Sequence, residues 1–145
     1  MNDYIIYTDG AYSPSRDKGG IGIVIVKDDK IVLEYSKGYS KTTNNRMELT
    51  AIIIGLSCIK NKIDSVTVIS DSQYCVGCIC KGWKRNKNRD LWKVFDYIES
   101  EVLNKYCSEI NYKWTKGHQQ TNNDSSDSKW NNYVDKLAVS ETLVI

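Results

Sequence analysis

Residues 42–59 read TTNNRMELTAIIIGLSCI, and the hydrophobic period changes inside this stretch. From residue 47 on, Leu49, Ile52, Ile53, Leu56 and Ile59 follow i, i+3, i+4 spacing, the mark of a helix with one buried face. The chain before it has a different rhythm. Tyr4 to Thr8 is a short β-rich run that Asp9-Gly10 ends or interrupts. Gly19-Gly20 opens Ile21-Gly22-Ile23-Val24-Ile25-Val26, Lys27 to Lys30 reads as a turn, and Ile31 to Tyr39 alternates imperfectly. These runs predict a meander of three antiparallel strands. After the switch, Val66 to Ser70 is a short apolar strand, and a second helix covers Ser72 to Cys80. Leu91, Val94, Phe95, Ile98 and Val102 repeat the helical spacing, Ile110 to Thr115 returns to strand, and Val134, Leu137 and Ala138 suggest a final helix. The order βββαβααβα describes an α/β fold, a mixed sheet with helices on its faces.

The chain has 145 residues, 26% charged and 41% hydrophobic, with one Pro and one His. That length predicts a single domain over residues 1–145, and the composition excludes a disordered or fibrous protein. No apolar run approaches the roughly 20 residues of a membrane helix. Met1-Asn2-Asp3 leads straight into a strand-like run, so no secretory signal is expected. A net charge of +2 and a pI near 8.2 do not by themselves point to a nucleic-acid partner.

Five cysteines, Cys58, Cys75, Cys78, Cys80 and Cys107, form an odd set. Without a signal segment they favour a reducing, cytoplasmic setting over a disulfide framework. Cys75-x-x-Cys78-x-Cys80 lacks a second Cys pair, and the lone His118 is distant, so a zinc site is disfavoured. On a helix, Cys75, Val76, Ile79 and Cys80 would instead form a buried side. Two stretches stand apart from packed structure. Residues 81–90 (KGWKRNKNRD) place five basic side chains around one Trp, and residues 119–129 (QQTNNDSSDSK) read as a polar loop.

Four carboxylates carry the functional question, and each has a plain structural reading. Asp9 sits in an Asp-Gly turn pair, and Asp71 stands at a helix start where caps are common. Glu48 lies three residues after Asn45, as in a capping box, and Asp135 would be a surface charge. Their placement argues for more. Sites in open α/β sheets gather beyond the carboxyl ends of strands, where Asp71 lies, and a neighbouring first strand would bring Asp9 close. Clustered acids repel and raise one another's pKa unless cations compensate. Hard divalent cations, Mg²⁺ above all, suit such oxygen ligands. Two such ions about 4 Å apart can activate water and stabilise the leaving oxygen in phosphodiester cleavage.

The chain resembles type 1 ribonuclease H, the enzyme that cuts RNA in RNA–DNA hybrids. The resemblance rests on Tyr7-Thr8-Asp9-Gly10-Ala11, Thr42-Thr43-Asn44-Asn45-Arg46-Met47-Glu48-Leu49 and Ser70-Asp71-Ser72-Gln73-Tyr74. It continues through Gly82-Trp83-Lys84, Asp90-Leu91-Trp92, Trp114-Thr115-Lys116-Gly117-His118 and Asp135-Lys136-Leu137-Ala138, in family order. It implies a ribonuclease H-like fold, a five-stranded mixed sheet with three antiparallel then two parallel strands, flanked by helices. It also implies two-Mg²⁺ hydrolysis, with Mn²⁺ a substitute, leaving 5′-phosphate and 3′-hydroxyl ends. By the same resemblance Asp9 and Asp71 hold both ions most directly. Glu48 orients the attacking water and meets the RNA 2′-hydroxyl, and Asp135 completes the second metal's shell. His118 matches a mobile family histidine that moves protons or assists product release.

Substrate contacts carry over as well. Asn44, Asn45 and Gln73 match side chains that meet the RNA minor groove, with backbone help from Gly10, and the 2′-hydroxyl there distinguishes RNA from DNA. Lys41, Thr43 and Asn88 fall where the family grips a phosphate of the DNA strand, Trp83 where it packs on that strand's sugars, and Asn131 at an RNA-side contact. The departures lie elsewhere. The extra basic helix and loop called the handle is reduced to Lys81–Arg89, as in the handle-less form of retroviral reverse transcriptases and some bacterial and archaeal enzymes. The loop after His118 is longer than usual, Ser15 and Arg16 replace the typical Gly-Asn-Pro of the first turn, and no hybrid-binding module is expected ahead of Met1. A monomer acting on RNA–DNA hybrid is expected, with partnership to replication or reverse-transcription proteins left open. Two alternatives remain at this point: a hybrid-binding module of low intrinsic activity that needs a partner, and a related-fold metal nuclease acting on DNA, which Asn44, Asn45 and Gln73 disfavour.

Overall fold

A computed structural model describes residues 2–116 and 126–144. Strands β1 (Asp3–Ser13), β2 (Lys18–Lys27) and β3 (Lys30–Ser40) precede α1 (Asn44–Ser57). Then come β4 (Ser65–Ser70), α2 (Gln73–Cys80), α3 (Arg89–Lys105), β5 (Glu109–Trp114) and α4 (Ser126–Thr142). The sheet order is β3-β2-β1-β4-β5. β1, β2 and β3 pair antiparallel, while β4 runs parallel to β1 and β5 parallel to β4. This is the mixed sheet the sequence implies.

Both faces of its centre are covered. Ile6, Ile21, Ile23, Leu49, Ile52, Leu56 and Phe95 belong to one core, beneath α1 and α3. Tyr7, Val24, Val26, Ile69, Trp130 and Val134 form another beneath α4. Strands buried on both faces read as continuous apolar runs rather than alternating ones, which accounts for Ile21 to Val26.

Several local readings change. β1 does not stop at Asp9-Gly10: Asp9 pairs with Gly22 and Gly10 with Ile21, so the ladder holds an apparent turn pair inside a strand. α1 begins at Asn44, three residues before the period switch, because Thr43 caps it by accepting from the Arg46 amide. Glu48 is therefore not part of a capping box. α4 begins at Ser126, so residues 126–129 of the expected loop are helical, while 117–125 lie outside the described residues. In α2, Cys75 and Cys78 are buried and Cys80 is exposed, since an i, i+3 pair stays on one face where i, i+5 does not. The basic stretch is also more packed than expected. Arg85 stacks over Trp92 at 4.3 Å and pairs with Asp96 at 2.9 Å, so one of its five cations folds back on α3.

Candidate active site

The acids converge because the backbones beside them are bare. An added Cβ at Gly10 would lie 2.3 Å from the Glu48 amide nitrogen, so glycine lets α1 rest directly on β1. An added Cβ at Gly22 would lie 2.4 Å from the Val134 carbonyl oxygen, so α4 rests equally close on β2. Gly22 is the register partner of Asp9. One glycine thus brings Glu48 beside Asp9 and the other brings Asp135. Gly22→Ala should destabilise the fold by about 2 kcal/mol through overpacking and lower turnover further by displacing α4. Unchanged melting and turnover in that variant would contradict this account of the site.

Asp9 on β1 is 3% exposed and Glu48 on α1 is 6% exposed. The Gly10 amide donates to both, at 2.9 Å to Asp9 Oδ1 and 2.5 Å to Glu48 Oε1. Asp71 follows the last residue of β4, and Ser70 pairs in parallel with Thr8, so Asp71 leaves its strand beside Asp9, the next residue of β1. The Trp114 indole holds the Asp71 carbonyl at 3.1 Å. Carboxylate oxygens of Asp9, Glu48 and Asp71 lie within 4.8 Å of one another. Asp135, half-buried on α4, stands within hydrogen-bond reach of Asp9.

Burial pushes the Asp9 carboxyl well above the usual carboxylate range, and the charges of Asp71 and Asp135 push it further. Burial, then Asp9 and Asp71, raise Glu48 likewise. Asp71 Oδ1 is buried with no hydrogen-bond partner. Acceptor-only oxygens, one of them orphaned, fit a hard divalent cation, which would satisfy the lone pairs and cancel the repulsion. Among the described residues this trio is the one metal-capable group of His, Cys, Asp and Glu, and the Cys75/Cys78/Cys80 cluster forms none.

The surrounding residues fall into two sets. Thr43, Asn44 and Asn45 are exposed at the start of α1, and Gln73 at the start of α2. Trp83 lies over Gly77, where any Cβ would meet its ring at 2.1 Å. Gln73, Val76, Gly77, Lys81, Trp83 and Trp114 line a cleft of about 290 Å³. Lys41 and Asn88 both hold left-handed backbone, with φ of 54° and 60°. Asn131 departs from expectation: it is 4% exposed in α4, so the surface does not present it to an RNA strand. His118 lies outside the described residues. The sequence reading missed Gly22, whose signal was a glycine-rich strand beside a helix, and Trp114 as the holder of Asp71.

The RNase H family model matches residues 1–142. A ribonuclease H from Rippkaea orientalis is 39% identical over 159 residues, covering 96% of this chain and 87% of its own. The chain belongs to the ribonuclease H family. A ribonuclease H from Lachnoclostridium phytofermentans is 42% identical over 132 residues, 78% of this chain and 79% of its own. Among solved structures, prototype foamy virus protease–reverse transcriptase matches with a TM-score of 0.78 at 25% identity, over 98% of this chain and 21% of that one. LC11-RNase H1 in complex with an RNA/DNA hybrid shares the fold, with a TM-score of 0.73 at 23% identity over 96% of each chain. As a member of this family the chain is a hydrolase of the ribonuclease H class. No helix among its described residues is long and apolar enough to cross a membrane.

Proposed function

We propose that residues 1–145 form one ribonuclease H domain that hydrolyses the RNA strand of RNA–DNA hybrids, leaving 5′-phosphate and 3′-hydroxyl ends. The observation that carries the proposal is the trio of buried Asp9 and Glu48 with half-buried Asp71, whose orphaned oxygen lies beside exposed Asn44, Asn45 and Gln73. Asp9 and Asp71 would hold two Mg²⁺, or Mn²⁺ in their place, with Glu48 and Asp135 completing the ligand set. Such ions supply an activated water and charge stabilisation at the leaving oxygen. The protein's own part is orientation. Glu48 aims the water so that its oxygen bonds to phosphorus as the bond from phosphorus to the 3′-oxygen breaks, the attacking water giving up one proton and the departing 3′-oxygen taking one. His118 carries a proton or helps the product depart. Asn44, Asn45 and Gln73 read the RNA minor groove with its 2′-hydroxyls, which restricts cleavage to RNA. Lys41, Thr43 and Asn88 take a phosphate of the DNA strand, and Trp83 packs on its sugars.

The test is a labelled hybrid with Mg²⁺ and the Asp71→Asn variant as control. Cleavage of the RNA strand alone, lost in the variant, supports the proposal. Binding without cleavage in both Mg²⁺ and Mn²⁺ supports a hybrid-binding module that needs a partner, and cutting of duplex DNA supports a DNA nuclease. Only residues 81–88 separate α2 from α3, leaving no room for a basic handle. Hybrid affinity should therefore fall below that of handle-bearing enzymes and drop steeply with salt, because phosphate contacts dominate it. An equal affinity with a flat salt response would refute this.

A further inference from the structure

The N-terminal ends of α1, α2 and α3 are tied by a network that includes none of the four acids. Arg46, in the first turn of α1, donates to Asp90 through both nitrogens of its fork, at 3.0 and 2.8 Å. It also donates to Asn88 Oδ1 at 3.3 Å. Asn88 Nδ2 in turn donates to the Tyr74 hydroxyl at 3.2 Å, and the Trp92 indole donates to the same hydroxyl at 3.0 Å. Asn88 precedes α3 in left-handed backbone and makes no side-chain cap, so its amide links α1 and α2 instead. Arg85 covers the Trp92 ring from outside.

Position gives this network its meaning. Arg46 follows Asn45, Tyr74 follows Gln73, and Asn88 is itself an expected phosphate contact. An exposed ion pair adds little stability, but a planar two-bond fork fixes geometry. We propose that Arg46 and Asp90 are positioning residues, whose forked pair, locked through Asn88 and Tyr74, sets the spacing of Asn45, Gln73 and Asn88 so that both strands of a hybrid meet one rigid surface. The proposal rests on the hybrid-cleavage reading above. Charge alone gives the opposite sign: Asp90 is an exposed acid near a polyanion, and removing it should tighten binding if position did not matter.

That difference in sign makes the test. Asp90→Asn should raise KM for the hybrid about tenfold, because phosphate and groove contacts lose their register, and leave kcat within about twofold. In an Asp71→Asn background, where the hybrid is bound but not cut, affinity should fall by a similar factor. The slope of log K against log[salt] should shrink by about one phosphate contact. Arg46→Lys keeps the charge and loses the fork, so it should match Asp90→Asn, while Asp90→Glu should recover part of the loss. Equal or tighter binding by Asp90→Asn, or a fall in kcat at constant KM, would overturn the proposal. So would an Arg46→Lys variant indistinguishable from the parent. If the parent chain cuts no hybrid, the functional reading fails; if the parent cuts and Asp90→Asn matches it, only the positioning role fails.

Discussion

Replacing Asp71 with asparagine should lower RNA-strand cleavage about a thousandfold and leave the fold intact. A ligand that places charge-stabilising ions is worth several kcal/mol in the transition state, and about 4 kcal/mol is a factor of a thousand. The fold should tolerate the change for a local reason. Asp71 Oδ1 has no hydrogen-bond partner to lose, and asparagine has the same shape. Its neighbours should gain, since the Asp71 charge raises both Asp9 and Glu48. Melting in EDTA should therefore stay level or rise while the heat of Mg²⁺ binding measured by calorimetry collapses. Cleavage within tenfold of the parent would remove Asp71 from the proposed centre.

The second large effect concerns pH. Asp9 and Glu48 ionise at higher pH in the folded chain than in the unfolded one, whose ordinary values are 3.8 and 4.5. Above those values the unfolded chain has released protons that the folded chain still holds. The folded state then binds more protons, so stability falls as pH rises through the folded carboxyls' range. Without metal the protein should be most stable in mild acid and lose about 2 kcal/mol, or ~6 °C of melting temperature, on going to neutral and weakly alkaline pH. Mg²⁺ binds the ionised site and should restore stability most where the loss is greatest. Glu48→Gln should flatten the EDTA profile. A melting temperature that rises with pH in EDTA, or an equal Mg²⁺ gain at every pH, would show that repulsion among these acids is not felt by the fold.

The sequence carried element order well because period is a local property, as at Leu49 to Ile59, where the helix announced itself. It carried boundaries poorly wherever a distant partner decides them. Asp9-Gly10 is a turn by composition and a strand by pairing with Ile21 and Gly22. Ser126 to Lys129 look like a loop, yet Asp127 is fixed by the Tyr7 hydroxyl at 2.7 Å and Lys113 at 2.8 Å, both remote in sequence. The four acids were legible only through resemblance and sheet logic, since no spacing links residues 9 and 135. Asn131 shows the converse: its side chain matches a contact motif, while helix phase turns it inward. Arg85 counted as one more cation until Trp92 and Asp96 claimed it.

The acid cluster also has a meaning in time. Its members come from β1, α1, the end of β4 and α4, and no two are neighbours along the chain. The loops that join its parts must all close before the four carboxylates meet, each at an entropic cost. A growing chain that has reached β5 has its sheet but lacks the helix carrying Asp135. The four-acid set is therefore complete only once α4 has packed on β2, and its geometry depends on every element from β1 to α4.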